Sequence, residues 1–470
     1  MNLYSEGKSY KLYSGNMLDM LDVIQPNSID AIVTDPPYEL GFMNKSWDSS
    51  GIAFQVDTWK KCLTVLKPGG HLLCFGASRN FHRVACAIED AGFEIRDTIM
   101  WLYGGGFPKG MNIGLNVDKR NGVESEIIGY QDSTMPDFID AGQKNVANGG
   151  ENKVGFNPGE TANRKQIPIY KVHNRWDGWN TSLKPAFEPI IMARKPCEGS
   201  CIDNVMRWEV GGINIKECQV PFKSDKDYHI TADKNQHADF GTKPLTGNTI
   251  YGDYSMIQPK NYQADGRYPA NVILSYDDDT FEEVCGGMPY TVSTGGSGEA
   301  SKVNTFSNTY SGGWGKEKDC AHLGGLGDEG SAARYFYTAK ASVRDREEGL
   351  EDFPIKQCTG GGGGIDDYLT DVNSASGKYG SEKAPHRNYH PCVKPVLLMQ
   401  YLVRLVTPKG GTVLDPFNGS GSTGKAVAYE NYDREADYKY IGIELSEEYL
   451  AISDARIKYV ENKLKPIKLF

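Results

Sequence analysis

Asp-Pro-Phe-Asn-Gly-Ser-Gly-Ser-Thr-Gly, residues 415–424, is the stretch that decides the fold of this chain. It follows the apolar run 412–414 and precedes a segment with helical spacing, and its glycines are spaced G-x-G-x-x-G. Such glycines permit a tight turn at the start of a helix and let a ligand approach main-chain N–H groups. Twenty residues after Gly424, Glu444 ends another apolar run, where a carboxylate can accept hydrogen bonds from both hydroxyls of a ribose. The pattern predicts a strand–turn–helix unit for a nucleoside-containing cofactor, either a dinucleotide or S-adenosylmethionine.

Alternating strands and helices flank this unit and recur near the start of the chain. Apolar runs predict strands at 29–33, 71–75, 93–103, 189–194, 412–414 and 440–443. Helical spacing predicts helices at 54–66, 81–91, 422–430 and 447–462, and Lys67-Pro68-Gly69-Gly70 is expected to stop the first of them. Strands alternating with helices of this length indicate a parallel sheet. A single sheet built from both ends buries its faces better than two half-sheets, so we expect an α/β fold with a loop-rich insertion.

Asp35-Pro36-Pro37-Tyr38 directly follows the first of these strands. A residue before proline is extended and proline has no N–H, so the segment is stiff and rich in hydrogen-bond acceptors. The Asp35 carboxylate and the Pro36 carbonyl can accept from a planar amine, and Tyr38 offers a flat face. Two accepted hydrogen bonds would make the amine of a nucleobase more tetrahedral and more nucleophilic. The alternative is an ordinary Pro-Pro turn.

The order of these motifs resembles the β (permuted) class of amino-group DNA methyltransferases, in which the catalytic motif precedes a DNA-recognition region and the cofactor motif comes last. Further segments support the resemblance, which covers about 1–110, 176–220 and 386–465. They are Leu12 to Asn16, Trp59 to Gly76, Glu188 to Arg194, Gly266 to Asn271 (similar to phage and prophage members) and His390 to Pro395. In the last of these, Cys392 stands where the family usually has threonine.

The resemblance implies a Rossmann-like, circularly permuted, S-adenosylmethionine-dependent methyltransferase fold. The catalytic residues it implies are Asp35, Pro36, Pro37 and Tyr38. The implied cofactor-binding residues are Asn16, Asp35, Lys394, Asp415, Phe417, Gly419, Ser420, Gly421, Thr423, Glu444 and Leu445. Asp-Pro-Pro-Tyr is usual for adenine N6, whereas cytosine-N4 enzymes more often have serine in place of the aspartate. Asp35 therefore favours an adenine-N6 methyltransferase that flips its target base out of duplex DNA.

Composition limits the other possibilities. The chain has 54 glycines in 470 residues, about 11% against a usual value of about 7%, which predicts long loops. No apolar run reaches 18 residues, so no membrane span is predicted. Ten scattered cysteines and an N-terminus unlike a secretion signal favour a cytoplasmic protein. The family resemblance implies that it is bacterial or phage-encoded. Cys197, Cys201 and Cys218 lack a fourth ligand at zinc spacing, so we predict no metal and expect free cysteines in the core.

Duplex DNA is the expected partner, although the net charge of −10 argues against binding through bulk positive charge. The stretch from His386 to Leu414 contains four basic residues and no acid, which predicts a local basic cleft; they are Arg387, Lys394, Arg404 and Lys409. Basic and aromatic residues also alternate at 175–179 and 334–337, either as DNA contacts or as solvated loops and core aromatics.

Five segments are expected along the chain. They are a catalytic half (1–110), a variable insertion (111–180), a returning catalytic strand (181–196), a target-recognition region (197–385) and a cofactor-binding half (386–470). The alternatives are a cytosine-N4 methyltransferase, a nicotinamide-dependent oxidoreductase, which leaves Asp35 to Tyr38 without a task, and a catalytically dead DNA-binding protein. A homodimer and a companion restriction nuclease stay open.

Overall fold

A computed structural model describes most of the two ends of the chain and parts of its middle. The described residues are 2–40, 46–103, 110–132, 166–183, 185–222, 266–275, 290–292, 329–331, 336–339, 343–355 and 387–463. Most of the predicted target-recognition region, the glycine run 360–364 and Arg334-Tyr335 lie outside the described residues.

The elements of the described residues alternate between strand and helix at both ends. The strands are β1 (Asn2–Glu6), β2 (Tyr10–Ser14), β3 (Ile29–Thr34), β4 (Leu66–Phe75), β5 (Glu94–Tyr103), β6 (Ile127–Asp132), β7 (Gln166–Tyr170), β8 (Phe187–Arg194), β9 (Val272–Ser275), β10 (Tyr290–Val292), β11 (Glu329–Ser331), β12 (Tyr337–Thr338), β13 (Thr412–Asp415) and β14 (Lys439–Glu444). The helices are α1 (Met17–Leu21), α2 (Val56–Val65), α3 (Phe81–Asp90), α4 (Ile113–Arg120), α5 (Cys201–Trp208), α6 (Val343–Glu347), α7 (Val396–Val406), α8 (Ser422–Arg434) and α9 (Glu447–Glu461). None of the helices described is long and apolar enough to span a bilayer.

The chain divides into two compact units. One comprises Met1–Thr98, Gly105–Gly212 and Ala341–Phe470, and the other comprises Ile99–Gly104 and Ile213–Lys340. In the second unit, the last residues of β5 pair in parallel with β9, which pairs in parallel with β12, and β10 pairs antiparallel with β11.

The first unit contains one sheet made from both ends of the chain, as the sequence predicts. Its strand order is β1-β2-β14-β13-β3-β4-β8, followed by β5. The strands from β2 to β4 are parallel, β8 is antiparallel to β4, and β1 forms an antiparallel hairpin with β2. This mainly parallel sheet with helical connections is the predicted Rossmann-like α/β fold.

Helices cover the sheet because its central strands are apolar on both faces. All six residues of β3 are buried, which is typical of a parallel strand with helices on each side. On one side, α1, α2 and α3 contribute to a core around Trp59, whose indole N–H donates to the carbonyl of Ala53 (2.9 Å). The other group consists of α7, α8 and α9, in which α8 packs against both α7 and α9, and α7 also contacts β3 and β4.

The helix α2 ends at Val65, just before the segment Lys67-Pro68-Gly69-Gly70 that is predicted to stop it. The predicted strand 71–75 is longer than expected, however, because these four residues form the first part of β4. Main-chain hydrogen bonds to the end of β8 explain the difference, since Gly69 N donates to Lys195 O (3.0 Å) and Lys195 N donates to Gly70 O (2.9 Å). Gly69 has a φ of +78°, so the glycine bends the strand rather than forming a turn.

Several elements lack a clear sequence signal. The exposed edge strand β1 has no apolar run, and α4 and the β6–β7 hairpin lie in a segment of low periodicity. The predicted helix at 54–66 spans only Val56–Val65, and the predicted helix at 422–430 extends to Arg434. Tertiary packing sets these boundaries, which propensity does not determine.

The cysteines at 197 and 201 also differ from expectation. Cys218 is buried as predicted, but Cys197 is half-buried and Cys201 is exposed, so these two are not core residues. Their sulfur atoms are 3.9 Å apart, and Arg194 Nη1 donates to the sulfur of Cys201 (3.4 Å). No group of three metal-type ligands occurs within the described ranges.

A buried ion pair joins α7 to α8 and gives a stability prediction. Arg404 donates to both carboxylate oxygens of Glu430 (2.7 and 3.0 Å), whose side chain is fully buried. Replacing Arg404→Met should lower the free energy of unfolding by about 3–5 kcal/mol, because a buried carboxylate loses its main partner. The matched control is Arg434→Met: this exposed arginine is 3.9 Å from the same carboxylate and should contribute less than about 1 kcal/mol. Urea unfolding measures both, and equal losses would contradict the assignment.

Candidate functional site

The site lies where the direction of the sheet connections reverses. From β13 the chain passes through α8 to β14 on one side, whereas from β3 it passes through α2 to β4 on the other. In open α/β sheets, ligands bind in the crevice at the carboxyl ends of such neighbouring strands. Here those ends are Asp35, just after β3, and Asp415, the last residue of β13.

Asp415 connects the two halves at this point. Its buried carboxylate accepts hydrogen bonds from the hydroxyls of Thr34 and Thr423 (both 2.7 Å) and from Phe417 N (3.1 Å). Burial raises the pKa of Asp415 to about 6, although these hydrogen bonds lower it. Because all three donors belong to the protein, Asp415 and Thr423 support the glycine turn from the protein interior.

The glycine turn follows directly and begins α8. Gly419 and Gly421 have φ of +52° and +75°, a left-handed conformation that favours glycine. A Cβ on Gly421 would lie 2.2 Å from Ser453 Oγ, and one on Gly424 would lie 2.6 Å from the ring of Tyr440. The turn therefore packs closely against α9 and β14.

Two polar residues that the sequence analysis did not select support this turn. The amide oxygen of Asn418 accepts from Tyr440 Oη (2.8 Å) and Ser453 Oγ (3.2 Å). The guanidinium of Arg456, fully buried in α9, donates to the carbonyl and hydroxyl oxygens of Ser420. Ser420 thus faces the interior. Arg456 has no local sequence signal, because its partner is 36 residues away.

Glu444 closes the turn from the end of β14. Its Oε2 accepts from Gly419 N (2.7 Å) and its Oε1 accepts from Ser446 N (2.9 Å). Burial raises the pKa of Glu444, and these main-chain hydrogen bonds oppose that shift. Each carboxylate oxygen has two lone pairs, so acceptor capacity is left on both.

Asn16 and Leu445 lie beside Glu444. The strands β2 and β14 are parallel neighbours with Ser14 opposite Glu444, and Gly15 N donates to Glu444 O (3.0 Å). Asn16 is exposed and caps α1, its side chain accepting from Leu18 N. Leu445 is 70% exposed, which leaves its side chain free to cover a ligand. The structure therefore brings Asn16, Phe417, Gly419, Glu444 and Leu445 to one end of the sheet.

Asp35 presents one free carboxylate oxygen. Its Oδ2 accepts from the ammonium of Lys394 (2.6 Å), whereas its Oδ1 is buried and has no hydrogen-bond partner within the described residues. No main-chain N–H in the same ranges donates to the carbonyl of Pro36. Buried acceptors are normally satisfied, so this pair is suited to a donor that arrives with a ligand.

Tyr38 is held at both ends. Its hydroxyl donates to Glu188 Oε2 (2.8 Å) and accepts from Lys394 Nζ (3.1 Å), and its main-chain carbonyl accepts from Asn80 Nδ2 (2.6 Å). Burial, together with the negative charges of Asp35 and Glu188, raises the pKa of Tyr38. The hydroxyl is therefore neutral and acts as a donor.

Lys394 is buried among these groups. Burial lowers the pKa of its ammonium, but the charges of Asp35 and Glu188 outweigh this and raise the pKa above its usual value. Its Nζ lies 3.3 Å from Glu188 Oε2 and 4.9 Å from the ring centroid of Phe75. Lys394 is thus a permanently charged support for Asp35.

The prediction of a basic cleft at 386–414 is wrong for two of the four basic residues. Lys394 and Arg404 are buried and neutralised by carboxylates, so neither can contact a phosphate. Arg387 is half-buried and Lys409 is exposed, and His386 lies outside the described residues.

Another basic and aromatic surface is present, where Arg175 lies 4.8 Å over the ring of Trp176. Trp176 in turn packs edge-on against Trp179, which is 57% exposed.

Glu188 is the main functional residue that the sequence analysis missed. From the sequence, Glu188 is only the first residue of a segment that resembles the family. Because β8 runs antiparallel to β4, the beginning of β8 lies at the same edge as the end of β3. A charged residue at the start of a reversed strand is the signal that could have revealed it.

Fold and site together define an α/β protein in which a glycine-rich turn at the start of α8 lies beside the carboxylate of Asp35 at the carboxyl ends of neighbouring strands. Residues 29–455 match the family N6_N4_Mtase, described as DNA methylase. The chain therefore belongs to the DNA methylase family.

Individual relatives share shorter segments. The type II methyltransferase M2.LlaDCHI of Lactococcus lactis subsp. cremoris is 31% identical over 117 residues, 21% of this chain and 43% of that protein. The type II methyltransferase M.HpaI of Haemophilus parainfluenzae is 30% identical over 105 residues, 21% of this chain and 33% of that protein. The chain thus spans less than half the length of these curated relatives.

Solved structures give matches over nearly the whole chain. The PvuII DNA methyltransferase (cytosine-N4-specific) matches with a TM-score of 0.40 and 13% identity, covering 98% of this chain and 95% of that one. M1.HpyAVI matches with a TM-score of 0.34 and 12% identity, covering 95% of this chain and 98% of that one.

The glycine turn gives a second stability prediction. Gly421→Ala and Gly410→Ala both place alanine at a left-handed φ (+75° and +79°), which costs about 1–2 kcal/mol. Only Gly421→Ala adds a clash, because no atom of the described residues lies within 4 Å of a Cβ on Gly410. Gly421→Ala should therefore lower the free energy of unfolding by about 1–3 kcal/mol more than Gly410→Ala. Denaturant unfolding of the two variants measures the difference, and indistinguishable values would show that the turn is not tightly packed.

Proposed function

We propose that this chain is a site-specific DNA methyltransferase that transfers a methyl group from S-adenosylmethionine to N6 of adenine in duplex DNA. The observation that carries the proposal is a pair of acceptors, Asp35 Oδ1 and Pro36 O, that have no hydrogen-bond partner within the described residues. They lie at the switch point of a chain that belongs to the DNA methylase family. Such a pair fits an exocyclic NH2 group, which has two donors in one plane.

The residues around the glycine turn fit the proposed cofactor. Gly419 and Gly421 leave no side chain over the turn, and the Glu444 carboxylate retains lone pairs for ribose hydroxyls. We assign cofactor contacts to Asn16, Phe417, Gly419, Glu444 and Leu445, which lie together at this edge. We assign Lys394, Asp415, Ser420, Gly421 and Thr423 to the support beneath them, since their side chains or Cβ positions face protein. When bound, the cofactor supplies an electrophilic methyl group on a sulfonium.

The chain's own residues hold the target amine. A base inside a duplex cannot reach the pocket, so the adenine flips out and stacks on Tyr38. Asp35 Oδ1 and Pro36 O accept the two N–H groups of N6 and draw its lone pair out of conjugation with the ring. Holding both reactants in line provides much of the acceleration. The amine would attack the methyl carbon directly, the sulfur–methyl bond would break with its electron pair left on sulfur, and the surplus proton on nitrogen would then pass to solvent. No cysteine is needed as a nucleophile.

Asp35 is the reason for choosing adenine. In the family that the chain resembles, aspartate at the first position of the motif is usual for adenine N6. Cytosine N4 offers the same NH2 geometry to the same two acceptors, and cytosine-N4 methylation is therefore the alternative. Base reading would fall to the middle of the chain, and phosphate contacts to exposed groups such as Arg175 and Trp179.

Replacing Asp35→Ala should abolish most methyl transfer and leave cofactor binding intact. It removes an acceptor for the amine, and losses of about 100-fold or more in kcat are expected for a group that acts in the transition state. Tritiated methyl transfer to DNA measures the rate, and calorimetry with S-adenosylmethionine measures binding. Asp57→Ala is the control, because that carboxylate is 82% exposed on α2 and should leave the rate unchanged. Undiminished transfer by Asp35→Ala, or binding of NAD in place of S-adenosylmethionine, would contradict the proposal.

The methylated nucleoside decides the target base. DNA is isolated from cells that express the protein, digested to nucleosides and analysed by mass spectrometry. It should contain N6-methyl-deoxyadenosine. N4-methyl-deoxycytidine instead would support the alternative, and 5-methyl-deoxycytidine would contradict the amino-group mechanism. Modification-detecting sequencing of the same DNA gives the recognition sequence.

A further inference from the structure

We propose that Glu188 is a positioning residue, which fixes the Tyr38 ring for the target base by holding the tyrosine hydroxyl. This inference rests on the proposed function, because it concerns the same pocket. It assigns a role to a residue on a strand that is distant in sequence from both motifs, with 150 residues separating Glu188 from Tyr38.

The sheet topology places Glu188 at the pocket. Main-chain pairing of β8 with β4 sets Ile190 opposite Phe75, and Gly76 N donates to Pro189 O (3.0 Å). Glu188 is therefore fixed one residue beyond these pairs, where β4 ends. A residue held by a sheet ladder can position another side chain more accurately than one on a loop.

The hydroxyl of Tyr38 has defined partners on both sides. It donates to Glu188 Oε2 (2.8 Å) and accepts from Lys394 Nζ (3.1 Å), so its proton points toward the glutamate. With Asn80 holding the main-chain carbonyl of the same residue (2.6 Å), the ring is fixed at both ends. Because the Tyr38 ring is already held in one orientation, it offers a stacking surface before the base binds.

Glu188 also affects how Lys394 is shared. Lys394 Nζ lies 2.6 Å from Asp35 Oδ2 and 3.3 Å from Glu188 Oε2, and the three side chains are 7%, 20% and 20% exposed. One ammonium between two carboxylates engages only one oxygen of Asp35, and Asp35 Oδ1 stays available. The fixing of the Tyr38 ring and the sharing of Lys394 both depend on the acceptor oxygen of Glu188. The fixing of the ring depends also on the hydroxyl of Tyr38.

A double-mutant cycle of Tyr38→Phe and Glu188→Ala tests the inference. Each single variant should lower kcat for methylation of unmethylated genomic DNA by about 10–100-fold, the usual effect of losing a hydrogen bond to a charged group. The double variant should be no slower than the slower single variant, because both substitutions remove the same hydrogen bond. Glu188→Gln retains an acceptor for the hydroxyl and should stay within about threefold of the wild type.

Binding of S-adenosylmethionine separates positioning from a merely structural role. Its Kd, measured by calorimetry, should be unchanged in all these variants, whereas misfolding would weaken it. Multiplicative losses in the double variant, or full activity of Glu188→Ala, would overturn the inference. If Glu188→Ala does not fold, the comparison of Glu188→Gln with Tyr38→Phe tests the inference. A decrease in kcat for Glu188→Gln as large as that for Tyr38→Phe would overturn the role assigned to the acceptor oxygen. A wild-type protein that methylates no amino group would refute the proposed function itself, independently of these comparisons.

Discussion

The site depends on the hydrogen bond between Thr34 Oγ1 and Asp415 Oδ1. It connects the ends of β3 and β13, which come from opposite ends of the chain and are separated by 381 residues. Thr423 Oγ1 and Phe417 N donate to the same carboxylate, so one buried group fixes both strand ends and the start of the glycine turn. The acceptors proposed to hold the amine follow β3, and the glycine turn proposed to hold the cofactor follows β13. The separation of these two segments is therefore set by a single carboxylate.

Most of the buried charges around this site are paired with one another, whereas one buried oxygen of Asp35 is not. Lys394 and Arg404 neutralise carboxylates inside the protein, and Arg456 binds the carbonyl and hydroxyl of Ser420. Asp35 Oδ1 is left without a partner in the described part of the chain. A buried charge is expensive unless it is paired, so these pairs stabilise a geometry in which one acceptor can stay free. The negative net charge of the chain thus says little about its active site.

Much of the fold could be predicted because local patterns and topology agree. The strand before residue 415, the glycine spacing and the acid at 444 form one short unit, which a single sequence window contains. Glu188, Asn80 and Arg456 could not be found in this way, since each acts on a partner 36 to 150 residues away. The basic stretch 386–414 was misleading for the same reason: the acids that neutralise Lys394 and Arg404 lie on other elements. Periodicity predicts elements, but only packing decides which charges meet.

The pairing of β3 with β13 has a consequence for synthesis. When β3 leaves the ribosome, the strand that will cover its edge is about 380 residues away, which corresponds to roughly 20–75 s at about 5–20 residues per second. During that time an apolar strand, buried on both faces in the finished protein, can pair with β4 at one edge but has no partner at the other. The nascent chain has to avoid aggregation while the sheet still lacks β13 and β14. The yield of folded protein in cells should therefore be sensitive to chaperones and to the rate of translation.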